Sequence, residues 1–461
     1  MRRSRAPDVI LTVACAAQFM VVLDISVVNV ALPSIRDALD FNSVTLQWVV
    51  NAYALPFAGF LLLGGRLADL FGTRRVFLVG LGLFSGASLI GGLVTASPLL
   101  IGARALQGLG AAVLAPATLT ILTSTFPEGQ RRTRALATWT SVGIGGGTAG
   151  NVLGGVLTEF LSWRSTLLIN VPAGAVVALL TLRYLPRTGS ATVVQRIDAA
   201  GAALATIGLG SLAFGVSEAA SHGWQAASTI LPLATGLLLL VAFIIVESHV
   251  AVPLFPLRIF RNRSVSVGNL TILLAGACLN PMWYFLTLSM QITLGYTPIQ
   301  TGLAFIPHTL VVIFVGVRVT PWLMRRVDGR VLISIGSLIA AAGFALQAQL
   351  TRDSGYTLGI LLPAVVFSIG SGILTTPITS AVTSGVPPSE VGAASGLMNA
   401  AKQIGGALGL AMLVTIAGSG ASDIATTLNP YNKAYYAIAG IMLVVAATAV
   451  ALPAQKDDPA D

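Results

Sequence analysis

Long apolar stretches, separated by short polar gaps, follow one another along most of this chain. Each stretch is about 20 residues long or longer, which is the length that an α-helix needs to cross the hydrocarbon core of a bilayer. The pattern predicts an all-α integral membrane protein with fourteen transmembrane helices. We place these helices at residues 9–33, 45–65, 76–94, 98–124, 135–158, 165–185, 198–217, 227–247, 264–290, 300–320, 331–350, 356–383, 391–417 and 434–453.

The distribution of Lys and Arg supports this count, because cytoplasmic loops are enriched in these residues. If the N-terminus is cytoplasmic, all but six of the 26 Lys and Arg residues lie in cytoplasmic gaps or tails or, as Arg183 and Arg318 do, in the last three residues of a helix that ends at a cytoplasmic gap. An added or missing helix would destroy the alternation, so both termini are predicted to be cytoplasmic. The exceptions are Arg36, Arg164, Arg352 and Lys433 in outer gaps, and Arg104 and Lys402 within helices.

Composition excludes several other classes of protein. The 461 residues are 55% hydrophobic and only 9% charged, with a mean hydropathy of +0.85, whereas soluble domains carry about 25% charged residues. The net charge of +9 follows from the topology and gives no reason to expect nucleic-acid binding. The sequence contains no P-loop, no nucleophile elbow and no metal-binding cluster of His and Cys. We therefore expect a protein that is not an enzyme and that needs no metal or cofactor.

An internal repeat is visible across the chain. The gap at residues 64–75 and the gap eight helices later, at 318–330, are both short, glycine-containing and rich in arginine. Asp24 and Asn280 hold similar positions in the first and ninth helices. The predicted organisation is a six-helix bundle at 1–185, a linker and two-helix insert at 186–250, and a second six-helix bundle at 251–461. Such paired bundles are a transporter architecture.

Several segments carry a family resemblance. They are LDISVVNVALP at 23–33, GGRLADLFGTRR at 64–75 and RALQG at 104–108. With them, the chain resembles the major facilitator superfamily, and more closely its fourteen-span drug:proton antiporters. The resemblance implies an exporter of amphipathic drugs or antibiotics in the cell membrane, working by alternating access. The implied partners are the substrate, protons and the bilayer, the implied energy source is the proton gradient, and a monomer is expected.

The resemblance also assigns conformational roles to two segments. In the loop, Asp69, Gly72, Arg74 and Arg75 match the family pattern and are interpreted as a latch between conformations, with charge-setting for topology as the alternative. The fifth helix carries Gly150, Asn151, Gly154 and Gly155, where the family motif has a proline in place of the asparagine. Glycines spaced by four residues allow close helix packing, and we expect Asn151 to supply a hydrogen bond.

Asp24 is the strongest candidate for proton coupling. Fifteen residues of helix place it about 22 Å into the membrane, where a charge costs about 2.5 kcal/mol or more unless it is shielded. We therefore expect Asp24 to face a central cavity and to load and release a proton. The alternative is a structural, hydrogen-bonded Asp. A passive facilitator or an importer of a small metabolite on the same fold would not need this carboxylate.

Other polar residues within the predicted helices are candidates for coupling or substrate binding. Arg104, with Gln107 one turn away, predicts a polar patch for coupling, or else a structural anchor. Lys402 is too central to reach the interface cheaply, and it is expected either to pair with Asp24, to meet a polar substrate group or to serve helix packing. His308 is either a titrating group or a satisfied histidine. The predicted substrate-binding set is Asp24, Asn29, Tyr53, Gln107, Asn280, Tyr284, His308, Asn399 and Lys402, although its aromatic members fit a bilayer-facing position equally well.

Overall fold

The structure is a computed structural model, and it describes residues 6–42, 44–126, 129–186, 198–250, 257–383, 391–418 and 431–453. Within these ranges the regular secondary structure is helical, and no β-strand is formed. The all-α prediction is confirmed.

The described residues form seventeen α-helices, from 5 residues in α13 to 33 residues in α1. Their bounds are α1 Ala6–Ala38, α2 Trp48–Phe71, α3 Thr73–Leu93, α4 Ser97–Thr125, α5 Gln130–Phe160, α6 Trp163–Leu168, α7 Asn170–Tyr184, α8 Ala199–His222, α9 Ala227–His249, α10 Arg263–Leu279, α11 Pro281–Leu288, α12 Pro298–Phe314, α13 Thr320–Met324, α14 Gly329–Gln347, α15 Leu362–Thr383, α16 Val391–Gly418 and α17 Asn432–Val450. A 3₁₀-helix at Leu257–Arg261 precedes α10, and π-helical turns at Ser289–Thr293, Val315–Val319 and Thr357–Leu361 extend α11, α12 and α15.

Twelve helical segments of the described chain are long and apolar enough to cross a membrane. Several of them combine adjacent helices, such as Trp163–Tyr184, Arg263–Thr293 and Pro298–Met324. The helices α2 and α5 are not among the twelve, because each contains side chains outside the described part of the structure. The described part of α2 includes a shorter apolar stretch, Trp48–Leu61.

The chain divides into two compact units. One comprises residues 1–210, 238–254 and 296–303, and the other comprises 211–237, 255–295 and 304–461. Residues of the predicted two-helix insert therefore belong to both units. The start of α12 groups with the first unit, because it packs against α5.

The same helix neighbours recur in the two units. In the first unit, α1 packs on α5 and α7, and α3 packs on α4 and α7. In the second, α10 packs on α16 and α17, and α14 packs on α15 and α17. Each of these four pairings in the first unit corresponds to a pairing eight predicted spans later in the second, as the sequence repeat leads one to expect.

Close helix packing depends on glycine at several of these interfaces. A Cβ atom on Gly64 would overlap the carbonyl oxygen of Ala112, and a Cβ atom on Gly409 would overlap that of Ala277. Aromatic side chains fill the space between such contacts. Phe77 and Phe84 are fully buried in the first unit, and in the second Phe344 stacks on Phe367 with centroids 4.8 Å apart.

Large apolar side chains remain exposed along several helices, most clearly along α9. They include Leu231, Leu237, Leu238, Val241, Ile244 and Ile245. An exposed apolar surface of this extent matches a bilayer environment rather than water.

Candidate functional site

A closed polar network surrounds Asp24 in the middle of α1. Its carboxylate accepts hydrogen bonds from Arg104 Nη1 at 2.6 Å, from Gln107 Nε2 at 2.6 Å and from Asn170 Nδ2 at 2.8 Å. The first of these contacts is also an ion pair. Helices α4 and α7 supply the donors, so three helices of the first unit meet at this carboxylate.

Arg104 is held on all sides. Its Nε donates to the Val49 carbonyl oxygen at 3.0 Å, and Nη1 also donates to Gln107 Oε1 at 2.8 Å. Its guanidinium carbon lies 4.6 Å from the centroid of the Tyr53 ring, which is a cation–π contact. These contacts hold the guanidinium against Asp24 in the interior of the first unit.

Two members of the network were absent from the set predicted from the sequence. Ser88 Oγ accepts from Gln107 Nε2 at 2.6 Å and from Asn170 Nδ2 at 3.1 Å. Both Ser88 and Asn170 are buried. Asn170 could have been predicted from the sequence, because an amide side chain within an apolar run is unusual. Ser88 could not, because serine is common within apolar helices.

Asp24 does not face an open cavity in this structure. Its side chain has 0% exposure and that of Arg104 has 3%, because Gln107 and Asn170 close over the pair. The charges are opposite, so the site is neutral overall while the carboxylate is ionised. Removing either charge would leave the other buried without its partner, which costs about 3–5 kcal/mol.

Three other predicted binding residues are buried as well. Asn29 is largely enclosed on α1, and Tyr53 packs its ring between Arg104 and Phe57. Tyr284 is buried on α11, with its ring edge-on to Phe285 at 5.3 Å. The sequence suggested a bilayer-facing position as the alternative for the aromatic residues, and the burial of Tyr53 and Tyr284 excludes it.

On α16, Asn399 and Lys402 are exposed. Asn399 Nδ2 donates to the Ser395 carbonyl oxygen at 3.0 Å. The Lys402 ammonium has no hydrogen-bond or ionic partner among the described residues, while the Lys402 carbonyl oxygen accepts from Asn280 Nδ2 at 3.4 Å. The pairing of Lys402 with Asp24 considered from the sequence is not formed, since Arg104 is the ionic partner of Asp24.

His308 is buried on α12 in an aromatic environment. Its Nδ1 lies 2.5 Å from Ser368 Oγ, and its ring is edge-on to Trp283 with centroids 4.8 Å apart. The Phe367 ring lies 5.0 Å away. Of the two interpretations offered by the sequence, this enclosed and hydrogen-bonded position favours a satisfied core histidine.

The loop between α2 and α3 has a turn that requires glycine. Gly72 adopts φ = 85°, which is the left-handed region that favours glycine. Arg74 Nη2 donates to the Leu182 carbonyl oxygen at 2.7 Å in the last turn of α7, a favourable position for a cation. Arg75 is exposed. The side chain of Asp69 lies outside the described part of the structure.

The glycines of α5 form two seams. On one side, a Cβ atom at Gly150 would lie 2.8 Å from the Leu23 carbonyl oxygen, and one at Gly154 would lie 2.7 Å from that of Val27. These contacts bring α5 against α1 beside Asp24. On the other side, a Cβ atom at Gly155 would lie 2.6 Å from the Pro298 carbonyl oxygen, at the start of α12.

The α5–α12 seam has two further features. A Cβ atom at Gly302 would overlap the Asn151 carbonyl oxygen, and Glu159 Oε2 accepts from the Ile299 backbone N–H at 2.9 Å. Asn151 is buried, but its Oδ1 has no hydrogen-bond partner among the described residues. The hydrogen bond expected of Asn151 is therefore not found there.

An ion pair buried between helices that are apolar enough to cross a membrane, inside a unit whose packing recurs later in the chain, is typical of membrane transporters built from two helix bundles. Solved structures share this fold. A POT-family peptide transporter superposes with a TM-score of 0.71 at 14% sequence identity, covering 99% of both chains. The nucleoside transporter NupG superposes with a TM-score of 0.66, covering 96% of this chain and 99% of that one.

Residues 14–410 match the Major Facilitator Superfamily, and the chain belongs to it. A cephamycin export protein of Amycolatopsis lactamdurans is 55% identical over 448 residues, covering 96% of this chain and 92% of that protein. A puromycin resistance protein of Streptomyces alboniger is 39% identical, covering 98% and 92%. A lincomycin resistance protein of Streptomyces lincolnensis is 35% identical, covering 97% and 92%. These three relatives are antibiotic export or resistance proteins, as the motifs of the sequence lead one to expect.

Proposed function

We propose that this protein exports a β-lactam antibiotic of the cephamycin class across the cell membrane, driven by the proton gradient. The proposed topology has fourteen spans with both termini in the cytoplasm, and the proposed working form is a monomer. The observation that carries the substrate assignment is the 55% identity to a cephamycin export protein, which extends over 96% of this chain.

Proton coupling is supported by the chemistry of the Asp24 network. Protonation of Asp24 would remove the negative charge that Arg104 faces at 2.6 Å. A cation left unpaired in a buried site is strongly unfavourable, so the helices that hold it would be driven to rearrange. A proton taken up at Asp24 would thereby shift the balance between two conformations of the transporter.

The proposed cycle uses this shift. With Asp24 ionised and paired, substrate binds from the cytoplasmic side. A proton that reaches Asp24 from outside opens the pair, and the substrate is released outside. Return of the empty transporter delivers the proton to the cytoplasm and restores the contact between Asp24 and Arg104.

The test is transport by purified protein in inside-out proteoliposomes with an imposed pH gradient. Wild-type protein is expected to accumulate a cephamycin, and an uncoupler is expected to abolish the accumulation. Asp24→Asn should bind the cephamycin but fail to concentrate it. Uncoupler-resistant equilibration without accumulation would instead identify a passive facilitator and contradict the proposal.

A further inference from the structure

The cytoplasmic half of α5 has a polar face that is exposed among the described residues. Arg134, Thr138 and Ser141 lie on this face and are all exposed. Their spacing of four and three residues puts them on one side of the helix, and the distance from Arg134 to Ser141 along the axis is about 10 Å. An exposed arginine beside two hydroxyls is a chemically distinct surface within an apolar protein.

This face borders a shallow cavity of about 770 Å³ that is open to its surroundings along most of its extent, in the first unit. Arg134, Thr138 and Ser141 line one wall, while Phe19 of α1 and Val142 supply apolar contacts. A second cavity, of about 580 Å³, shares Phe19 and Val142 and continues between α1, α5 and α7. Its lining is apolar except for Thr12, whose hydroxyl donates to the Asp8 carbonyl oxygen. The two cavities together suit a molecule with one polar and one apolar end.

Arg134 differs from the neighbouring Arg132 in its contacts. Arg132 is held by the carbonyl oxygens of Phe126 and Thr123, at 3.0 and 2.8 Å. In contrast, the Arg134 guanidinium has no hydrogen-bond or ionic partner in the described part of the chain. The hydroxyls of Thr138 and Ser141 already donate to the carbonyl oxygens four residues earlier. The N–H groups of the Arg134 guanidinium are therefore the donors on this face that a ligand can use.

We propose that Arg134 binds the carboxylate of an amphipathic anionic substrate, whose apolar body lies against Phe19 and Val142 at the cytoplasmic end of the first unit. A guanidinium pairs with a carboxylate through two parallel hydrogen bonds. This inference deepens the proposed function, on which it rests, by naming the chemical class of the substrate and the residue that selects it.

The position of the site on α5 fits alternating access. Ser141 and Glu159 are 18 residues apart, which is five full turns, so they lie on the same line of the helix. Near the outer end of that line, Gly155 is buried and Glu159, although exposed, contacts the start of α12, whereas at the inner end Ser141 and Gly145 are both exposed. The inner part of this line is therefore open to a ligand, while the outer part packs against α12.

The experiment measures binding without a gradient, so that it does not depend on proton coupling. Purified protein in phosphatidylcholine nanodiscs is titrated with benzylpenicillin, a monocarboxylate, and with its uncharged methyl ester. Wild-type protein should bind the acid at least as tightly as the ester. Arg134→Gln should weaken binding of the acid by about tenfold or more, since a hydrogen bond to a charged group is lost, and should leave the ester unchanged.

Two further variants serve as a control for the loss of an arginine and as a test of the cavity itself. Arg131→Gln removes an exposed arginine from the same helix end without touching the cavity, and it should leave binding of both ligands unchanged. Gly145→Trp places a large side chain into the cavity at a position where an added Cβ atom meets nothing within 4 Å. It should weaken binding of the acid and of the ester alike while the protein still folds.

Equal effects of Arg131→Gln and Arg134→Gln, or an equal loss of acid and ester in Arg134→Gln, would overturn the proposal. An effect of Arg134→Gln that appears only in nanodiscs containing phosphatidylglycerol would also overturn it, because Arg134 would then bind lipid phosphate. If acid selectivity depends on Arg134 but proteoliposomes show no gradient-driven export, the carboxylate site stands and the proposed function fails.

Discussion

At the scale of single residues, the unusual feature is a neutral pair of opposite charges inside a membrane protein. Asp24 and Arg104 are each costly within the bilayer on their own. Together they satisfy one another, and Gln107, Asn170 and Ser88 bind the remaining donor and acceptor positions. A fully satisfied polar network of this kind holds its helices in one arrangement, and the loss of one member affects the rest.

Variants that remove the charges of Asp24 and Arg104 should affect the stability of the fold and the transport activity differently. Asp24→Asn and Arg104→Gln are each expected to lower the free energy of unfolding by about 3–5 kcal/mol, because each leaves one buried charge unpaired. The double variant should recover most of that stability but should not recover gradient-driven export. Thermal unfolding in detergent and proteoliposome transport measure the two effects. A double variant as unstable as the sum of the single variants would show that the charges are not coupled.

The residues that could be predicted from the sequence are those whose chemistry conflicts with their surroundings. Asp24, Arg104 and Gln107 stand out because they interrupt apolar runs. The identity of their partners could not be read in the same way, since 80 residues separate Asp24 from Arg104 and periodicity carries no information across that distance. Lys402 was an equally good ionic partner for Asp24 on sequence grounds, and only the packing of α1 on α4 selects Arg104.

At the scale of helices, α5 and the start of α12 can pack closely only because glycines, which have no side chain, occupy the contact. The Gly155 and Gly302 positions both face carbonyl oxygens of the opposite helix. The glycine spacing in the fifth predicted helix indicated close packing, but it could not indicate which helix packs there. The three π-helical turns were not predictable either, because they arise from local distortion of the hydrogen-bond pattern rather than from composition.

A side chain at Gly155 should force this seam apart. Gly155→Val would bring a Cβ atom to 2.6 Å from the Pro298 carbonyl oxygen, so the start of α12 must move away. We expect faster hydrogen–deuterium exchange in residues 296–303 and slower export. Gly86→Val is the matched control, because an added Cβ atom at Gly86 meets nothing within 4 Å. Unchanged exchange in Gly155→Val would show that the seam adapts without opening.

The carboxylate of Glu159 should contribute to the same seam through charge. It accepts from the Ile299 N–H near the first turn of α12, where a negative charge stabilises a helix by about 0.3–1 kcal/mol. Glu159→Gln retains an acceptor and should raise amide exchange at Ile299 modestly, whereas Glu159→Ala should raise it more. Asp353→Asn removes an exposed carboxylate elsewhere and should have no effect at Ile299. Equal exchange in all three variants would exclude a role for the Glu159 contact.

At the scale of the whole molecule, the two units share a packing plan but differ in their polar chemistry. The first unit encloses an ion pair, and the second encloses His308 among aromatic rings and carries Lys402 exposed on α16. The sequence repeat predicted the shared plan, because the gaps at 64–75 and 318–330 and the positions of Asp24 and Asn280 recur eight helices apart. The division of the insert between the units was not evident from the sequence, since it depends on which neighbours α8 and α9 contact.

The exposed charges of the described helices favour some substrates over others. Asp24 is neutralised by Arg104, whereas Lys402 and Arg134 are exposed cations without ionic partners in the described residues. The remaining glutamates of the helices are at their ends, at Glu159, Glu218 and Glu247, and Glu218 contacts His222 at 3.1 Å. The charges available to a ligand within the helices are therefore positive.

This balance predicts the order of substrates. A dication needs more than one carboxylate to offset its desolvation, and the helices offer no exposed pair of carboxylates among the described residues. Neutral, monocationic and weakly acidic amphipaths should therefore be exported better than dicationic dyes. The measurement compares the resistance that the protein confers on cells lacking their own pumps, using a monovalent and a divalent cation of similar hydrophobicity, with Asp24→Asn as the transport-dead control. Strong protection against the divalent compound would contradict the prediction, because it would require an anionic site that this distribution of charges does not provide.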